Sequence, residues 1–157
     1  MIALSAMLLA RHPWLSGMAA EHVALIADHA HEVRLTPEQV VFAEGEPADR
    51  FWLIWEGQVA LMLDLPGRGT VLIETLSAGD ILGWSWLFPP YRWRFGAVSI
   101  RDTRAVEVDA AAIRSTCESD PGFCAEIYRR VSAVTVERLH ATRLRMLDLY
   151  RVPDGVQ

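Results

Sequence analysis

Between residues 33 and 108 the chain is a train of short apolar runs, each cut by glycine, proline or acidic residues, and this leaves few folds open. "EVRLTPEQVVF" has an extended pattern, and "AEGEPADR" is a turn cluster built on Gly45 and Pro47. "FWLIWEGQVALMLDL" gives two strands broken near Glu56-Gly57, "PGRG" closes a hairpin, and "TVLIETL" returns. "SAGD" turns again, and "GAVSIRDTRAVEVD" supplies two more strands around Arg101-Asp102. β-branched and aromatic residues bounded by such turns form strands, and many short strands at regular spacing make a closed or rolled sheet. The expected fold is mainly β: an antiparallel double-stranded β-helix, a jelly-roll-like barrel.

Helical patterns flank this region. Residues 5 to 31 read as helical, with a start signal at Ser16-Gly17 followed by Val23, Ile26 and Ala30 at helical spacing. After residue 108 the pattern returns to helix. Asp120-Pro121 marks the start of a second C-terminal helix, since proline suits the first helical position. That helix is expected to reach about Tyr150, before Pro153 and Gly155 stop it. The organisation expected is a single domain over 1–157: a helical segment 1–32, a β-roll 33–108 and a C-terminal helical pair 109–150.

Composition narrows the classes of function. At 157 residues one domain is the default, and 52% hydrophobic with 22% charged residues fits a globular chain. The net charge of -5 weighs against a sequence-independent DNA binder, which needs a basic face. No apolar run is long enough to span a bilayer. "ALSAMLLA" lacks a basic leader and a cleavage site, so it does not read as a signal peptide. Cys117 and Cys124, seven apart on helical ground, form neither a disulfide framework nor a metal spacing and are expected as buried small hydrophobes. The cytoplasm is the natural compartment.

The histidines argue against an enzymatic rival. A barrel oxygenase of the cupin class needs a His-x-His pair and further ligands inside the barrel. Here "HAH" (His29 and His31) falls before the barrel, at a helix end, and His12, His22 and His140 stand alone. No nucleophile elbow, Walker loop or zinc spacing occurs. Neither catalysis nor a metal site is expected.

The densest chemistry lies in "GDILGWSWLFPPYRWRFGAV", residues 79 to 98, where Trp84, Trp86, Phe88, Tyr91, Trp93 and Phe95 make up six of the fourteen aromatic residues. Two readings stand side by side: core and lid packing, or the wall of a ligand pocket. "WSWLF" suits a strand or a tight turn. "PPYRWRF" read as a strand puts Arg92 and Arg94 on one face. Arg94 is expected either in a salt bridge to Asp80 or Glu74 or at an anion site, and Arg92 in solvent.

The whole arrangement resembles the cyclic-nucleotide-binding domain of the catabolite activator and FNR regulator family. The likeness rests on "HPWLSGM", "VVFAEGEPADRFWLIWEGQVAL", "LSAGDILGW" and "RAVEVDAAAI", and covers roughly residues 10 to 150. In that family a phosphate-binding cassette opens with Gly-Glu, forms a short helix and ends with Arg and a small or hydroxyl residue. The resemblance implies that Gly83 is the cassette glycine and Arg94 the phosphate-binding arginine. Trp84 stands where the ribose-binding Glu is usual, and Phe95 where the small residue is usual, with Gly96 following. Losing a carboxylate that accepts a buried hydroxyl costs about 1.5–3 kcal/mol.

The resemblance therefore implies a non-catalytic regulatory or sensor domain that binds a small anionic ligand, a cyclic nucleotide or a substitute, with no other cofactor. The ligand-binding residues would be Gly83, Trp84, Ser85, Arg94, Phe95 and Gly96, with backbone N–H groups near Trp84 and Ser85 helping. The alternative is a ligand-free degenerate barrel serving as an interaction or scaffold subunit. On the last helix, Val136, Leu139, Met146 and Tyr150 form an apolar stripe interrupted at Arg143, with Leu144 and Leu147 on a second edge. Part of it packs on the barrel. The rest, by the resemblance, pairs with its twin in a homodimer. No DNA-reading element follows the helix before Gln157, so no direct DNA binding is expected, and a protein partner is possible.

Overall fold

The computed structural model describes residues 4–151. In chain order come α1 (Ala6–Leu9), a 3-10 turn (Pro13–Leu15), α2 (Ala20–Ala27), β1 (Ala30–Leu35), β2 (Val40–Phe42), β3 (Arg50–Glu56), β4 (Gln58–Leu65), β5 (Gly69–Ser77) and β6 (Ile81–Leu82). A second 3-10 turn (Ser85–Leu87), β7 (Gly96–Ser99), β8 (Thr103–Asp109), α3 (Ala110–Ser119) and α4 (Pro121–Leu149) complete it. All strand pairs are antiparallel. They form two four-stranded sheets, ordered β1-β8-β3-β6 and β2-β7-β4-β5, rather than one closed barrel. The mainly β fold with flanking helices agrees with the sequence reading.

The β3–β4 break at Gly57 and the β4–β5 hairpin fall where the sequence put them. Gly57 is forced: at φ +98 a Cβ there would stand 2.3 Å from the Thr103 hydroxyl oxygen. Along β3 the four residues Phe51 to Ile54 are all buried, so the run shows no alternation. Trp52 faces the space between the sheets, where it stacks with Phe42 at 5.6 Å. Phe51 faces the other way, stacked on Trp86 at 4.5 Å and set edge-on to Trp14 at 5.9 Å. A strand covered on both sides needs apolar residues at every position.

The N-terminal region departs from the single helical stretch expected. It is three short pieces, and β1 begins at Ala30, inside the expected helix. Ser16-Gly17 does not start α2; Gly17 lies in a turn at φ +76, and α2 opens at Ala20. Ala30 fits the helical spacing of Val23 and Ile26, but its pairing with Val108 on β8 decides its conformation. His31 is consequently a strand residue, 3.7 Å from Glu107.

Asp109 caps α3, accepting from the Ala112 N–H, and Asp120 caps α4, accepting from the Phe123 N–H, each at 3.0 Å. The Asp120-Pro121 break places Cys117 and Cys124 on different helices, where both line one surface depression. Both are half-buried free thiols rather than buried ones. Burial and the neighbouring Cys124 push the Cys117 thiol up to about 12. The sequence's stop signals for α4, Pro153 and Gly155, lie outside the described residues.

His12 ties the N-terminal segment to β3. The Trp14 N–H donates to its Nδ1 at 3.2 Å, so Nε2 carries the proton and donates to the Ile54 carbonyl at 3.0 Å. That neutral tautomer is fully buried. Burial pushes its pKa below the ordinary 6.5, outweighing the Ile54 hydrogen bond and the Asp80 charge that favour the cation. A group with a depressed folded pKa gives its full stability above about pH 6.5 and loses it as pH falls towards the folded value. His12→Gln should lower stability by about 1–3 kcal/mol at pH 7.5 by disturbing these bonds. The gap to wild type should narrow between pH 7 and pH 5. Urea unfolding at both pH values checks this, and a gap that does not change with pH would refute the assignment.

Candidate ligand-binding site

The cassette begins where β6 ends. Gly83 has φ +96, and a Cβ there would stand 2.6 Å from the Trp93 ring, so the position requires glycine on both counts. Residues 84 to 88 form a tight turn around the 3-10 segment, not a strand. Its Trp86 is fully buried, with Nε1 donating to the Gly83 carbonyl at 3.0 Å. Arg114 of α3 fixes the same turn by donating to the Trp86 carbonyl at 2.7 Å, while its guanidinium lies 4.4 Å from the Tyr91 ring centre.

Residues 89 to 95 are irregular, so the strand parity expected for "PPYRWRF" does not apply. The backbone instead docks on the turn at residues 43–48. Trp93 N–H donates to the Glu46 carbonyl at 3.0 Å, Gly45 N–H to the Trp93 carbonyl at 2.8 Å, and Ala48 N–H to the Tyr91 carbonyl at 2.7 Å. Arg92 is exposed as expected, and its Nη1 donates to the Gly45 carbonyl at 2.8 Å. The Trp93 indole is driven inward, stacked on Phe42 at 3.9 Å and near Trp52 at 6.1 Å. Trp52 Nε1 is satisfied by Glu107 at 2.9 Å.

Between these two segments lies a half-open hollow of about 40 Å³. Gly83, Trp84 and Ser85 form one wall, and Trp93, Arg94 and Phe95 the other. Phe42 and Leu61 contribute from the sheet, and Arg138 reaches in from α4. Five of the six site residues expected from sequence therefore meet here. Gly96 does not; it opens β7 opposite Met62 and borders a separate depression beside Val40 and Val98. The hollow is small beside the roughly 300–1,000 Å³ of pockets that take drug-sized ligands. Rings fill the remainder, so the packing reading and the pocket reading each describe part of the run.

Arg94 is exposed and, among the described residues, makes no ion pair. Its two expected partners are engaged elsewhere. Asp80 accepts from the Ser77 N–H at 2.8 Å, and Glu74 faces Arg138 at 3.8 Å. Arg138 is the functional candidate that sequence reasoning missed. It donates to the Ile81 carbonyl at 2.7 Å, and its guanidinium lies 4.6 Å from the Trp84 ring centre. Burial pushes its pKa below the usual arginine range, against the pull of Glu74 and Asp80. The available signal was spacing: Ile127, Val131, Val134 and Arg138 follow at steps of four, three and four, one face of a helix.

No carboxylate lines the hollow, and two guanidiniums do. The lining offers positive charge and aromatic rings side by side. Among the described residues, no three His, Cys, Asp or Glu side chains gather as a metal site, and no helix is long and apolar enough to cross a membrane.

Gly83→Ala should destabilise the protein by about 2–4 kcal/mol, from the left-handed backbone and the clash with Trp93 together. Urea unfolding measures the loss, and tryptophan emission should shift as the Trp93 ring is displaced. A neutral substitution would show that the ring is not seated on Gly83.

Comparison with known proteins agrees with this geometry. Residues 32–120 match the family described as cyclic nucleotide-binding domain. Over 142 residues the chain is 30% identical to the CRP-like cAMP-activated global transcriptional regulator of Mycobacterium tuberculosis, covering 90% of this chain and 62% of that protein. The chain thus spans less than two thirds of that relative's length. Among solved structures, a putative cyclic nucleotide-binding protein from Geobacter metallireducens superposes with a TM-score of 0.80 at 25% identity, covering 87% of this chain and 99% of that one. The Thermus thermophilus catabolite activator protein shares the fold with a TM-score of 0.67 at 21% identity, covering 87% of this chain and 62% of its own. With its two antiparallel sheets and flanking helices, the chain belongs to the cyclic nucleotide-binding domain family.

Proposed function

We propose that this chain is a non-catalytic regulatory or sensor domain of the cytoplasm that binds a small anion through a modified phosphate-binding cassette. The observation that carries the reading is the Arg94 guanidinium, without an ion-pair partner among the described residues, at the rim of an aromatic hollow. A cyclic phosphate or another anion satisfies that cation by a forked, charge-assisted contact. The regulatory role accords with the family and with the cAMP-activated relative named above.

Trp84 takes the volume next to Gly83 and has an N–H donor but no acceptor for a sugar hydroxyl. Admitting a ligand requires Trp84 to move, and Arg138 rests on Trp84, so binding at the cassette displaces α4. A ligand shifts such an equilibrium only by preferring one of the two arrangements. Beyond Val131, α4 leaves Val136, Leu139, Met146, Leu147 and Tyr150 exposed. We assign this stripe to a second copy of the chain in a homodimer, with α4 carrying the signal between the sites and a partner.

The test is intrinsic tryptophan fluorescence, because Trp84 and Trp93 line the hollow. Cyclic nucleotides or other anions should change the emission saturably. Arg94→Ala should abolish that response while leaving the unfolding midpoint within a degree or two, as an exposed side chain without partners implies. Unchanged affinity in the variant rules out the site. A flat titration without any thermal shift would identify the chain as a ligand-free interaction subunit.

A further inference from the structure

Arg138 is a largely buried cation that makes few hydrogen bonds. Its side chain is 13% exposed. A guanidinium has five N–H donors, and here one hydrogen bond is made, to the Ile81 carbonyl. The Glu74 carboxylate stands at 3.8 Å, beyond hydrogen-bonding distance. The Trp84 ring covers part of the guanidinium at 4.6 Å. Burying a charge so incompletely satisfied is costly. Arg138 borders the hollow that Arg94 also lines, where no carboxylate stands, and on its other side a larger depression that Glu74, Asp80 and Glu137 line.

From this, and resting on the anion-binding reading above, we propose that Arg138 is a second anion-binding residue and that the site takes a compact dianion with an aromatic body and no sugar. An aryl phosphomonoester is the simplest member of that class. A cyclic phosphate carries a single charge and satisfies one guanidinium. A phosphomonoester carries about -1.5 to -2 at pH 7 and presents three acceptor oxygens, enough for two forks. The Ser85 hydroxyl on the wall is a further donor. Trp84, Trp93 and Phe95 offer ring faces and edges to an aromatic body. Trp84 gives a ribose hydroxyl nothing to donate to. Glu74 on β5 competes with the ligand for Arg138, and the affinity reflects that competition.

The experiment compares phenyl phosphate, benzoate and cyclic AMP, by calorimetry and tryptophan emission, on the wild-type chain and on Arg138→Gln, Glu74→Gln and Arg94→Ala. Phenyl phosphate should bind at least tenfold more tightly than cyclic AMP or benzoate. Arg138→Gln should weaken phenyl phosphate by about tenfold or more, the scale of a lost charge-assisted contact. Glu74→Gln frees the Arg138 fork and should strengthen it several-fold. This second variant keeps the test decisive if Arg138→Gln loosens α4. Phenyl phosphate affinity unchanged or raised in Arg138→Gln, or lowered in Glu74→Gln, overturns the assignment. Cyclic AMP binding more tightly, dependent on Arg94 but not on Arg138, also overturns it while leaving the proposed function standing. No response to any of the three ligands removes both.

Discussion

The close approach of the Trp93 indole to the bare Cα of Gly83 is the constraint from which the site follows. The ring fits there because position 83 carries no Cβ and its φ lies in the left-handed region. Once seated, it is sandwiched with Phe42 and Trp52 between the sheets. Trp86 does the same on the other side of β3, against Phe51. With residues 86 and 93 committed to the interior, Trp84 and Arg94 are left at the rim, where the two segments face each other. The cassette therefore has two hydrophobic anchors and a polar mouth between them.

The helix that closes the mouth is held by two different kinds of contact. Its first turns are apolar, with Phe123, Ile127 and Val131 buried. Further along, the same face is carried by arginines. Arg130 donates to the Trp14 carbonyl at 2.6 Å, Arg138 to the Ile81 carbonyl at 2.7 Å and Arg145 to the Ile73 carbonyl at 3.3 Å. Apolar burial is lost outright when a helix lifts, and each guanidinium that leaves a carbonyl for water forfeits a charge-assisted hydrogen bond.

The sequence carried most of the fold because its turns are marked by residues that permit little else. Gly57, "PGRG" and Asp120-Pro121 each fell at the boundary they signalled. What it could not carry was decided by contacts distant along the chain. Ala30 satisfies a helical spacing and is a strand residue because Val108 pairs with it. The alternation in "PPYRWRF" suggested a strand, but the backbone of these residues bonds to the turn at 43–48 instead. At the site, Gly83, Trp84, Ser85, Arg94 and Phe95 were legible through one local segment resembling a cassette. Arg138 lies more than forty residues away, on a helix rich in surface arginines; its spacing marks it as facing inward with Ile127, Val131 and Val134, but not what it meets there. Only the fold brings it over Trp84.

Magnitudes argue that Arg138 takes part in recognition and is not merely pushed aside. Lifting it from Trp84 forfeits a cation–π contact of about 0.5–2 kcal/mol. Leaving the Ile81 carbonyl forfeits a charge-assisted hydrogen bond of about 1.5–3 kcal/mol. A ligand that only displaced the side chain would bear a few kcal/mol, equivalent to roughly a 30- to several-thousand-fold loss of apparent affinity. A ligand that received the guanidinium would recover most of that through the new contact. On the proposed reading, the group released from Trp84 is the group that binds the anion, so that ligand recognition and the displacement of α4 would be the same event.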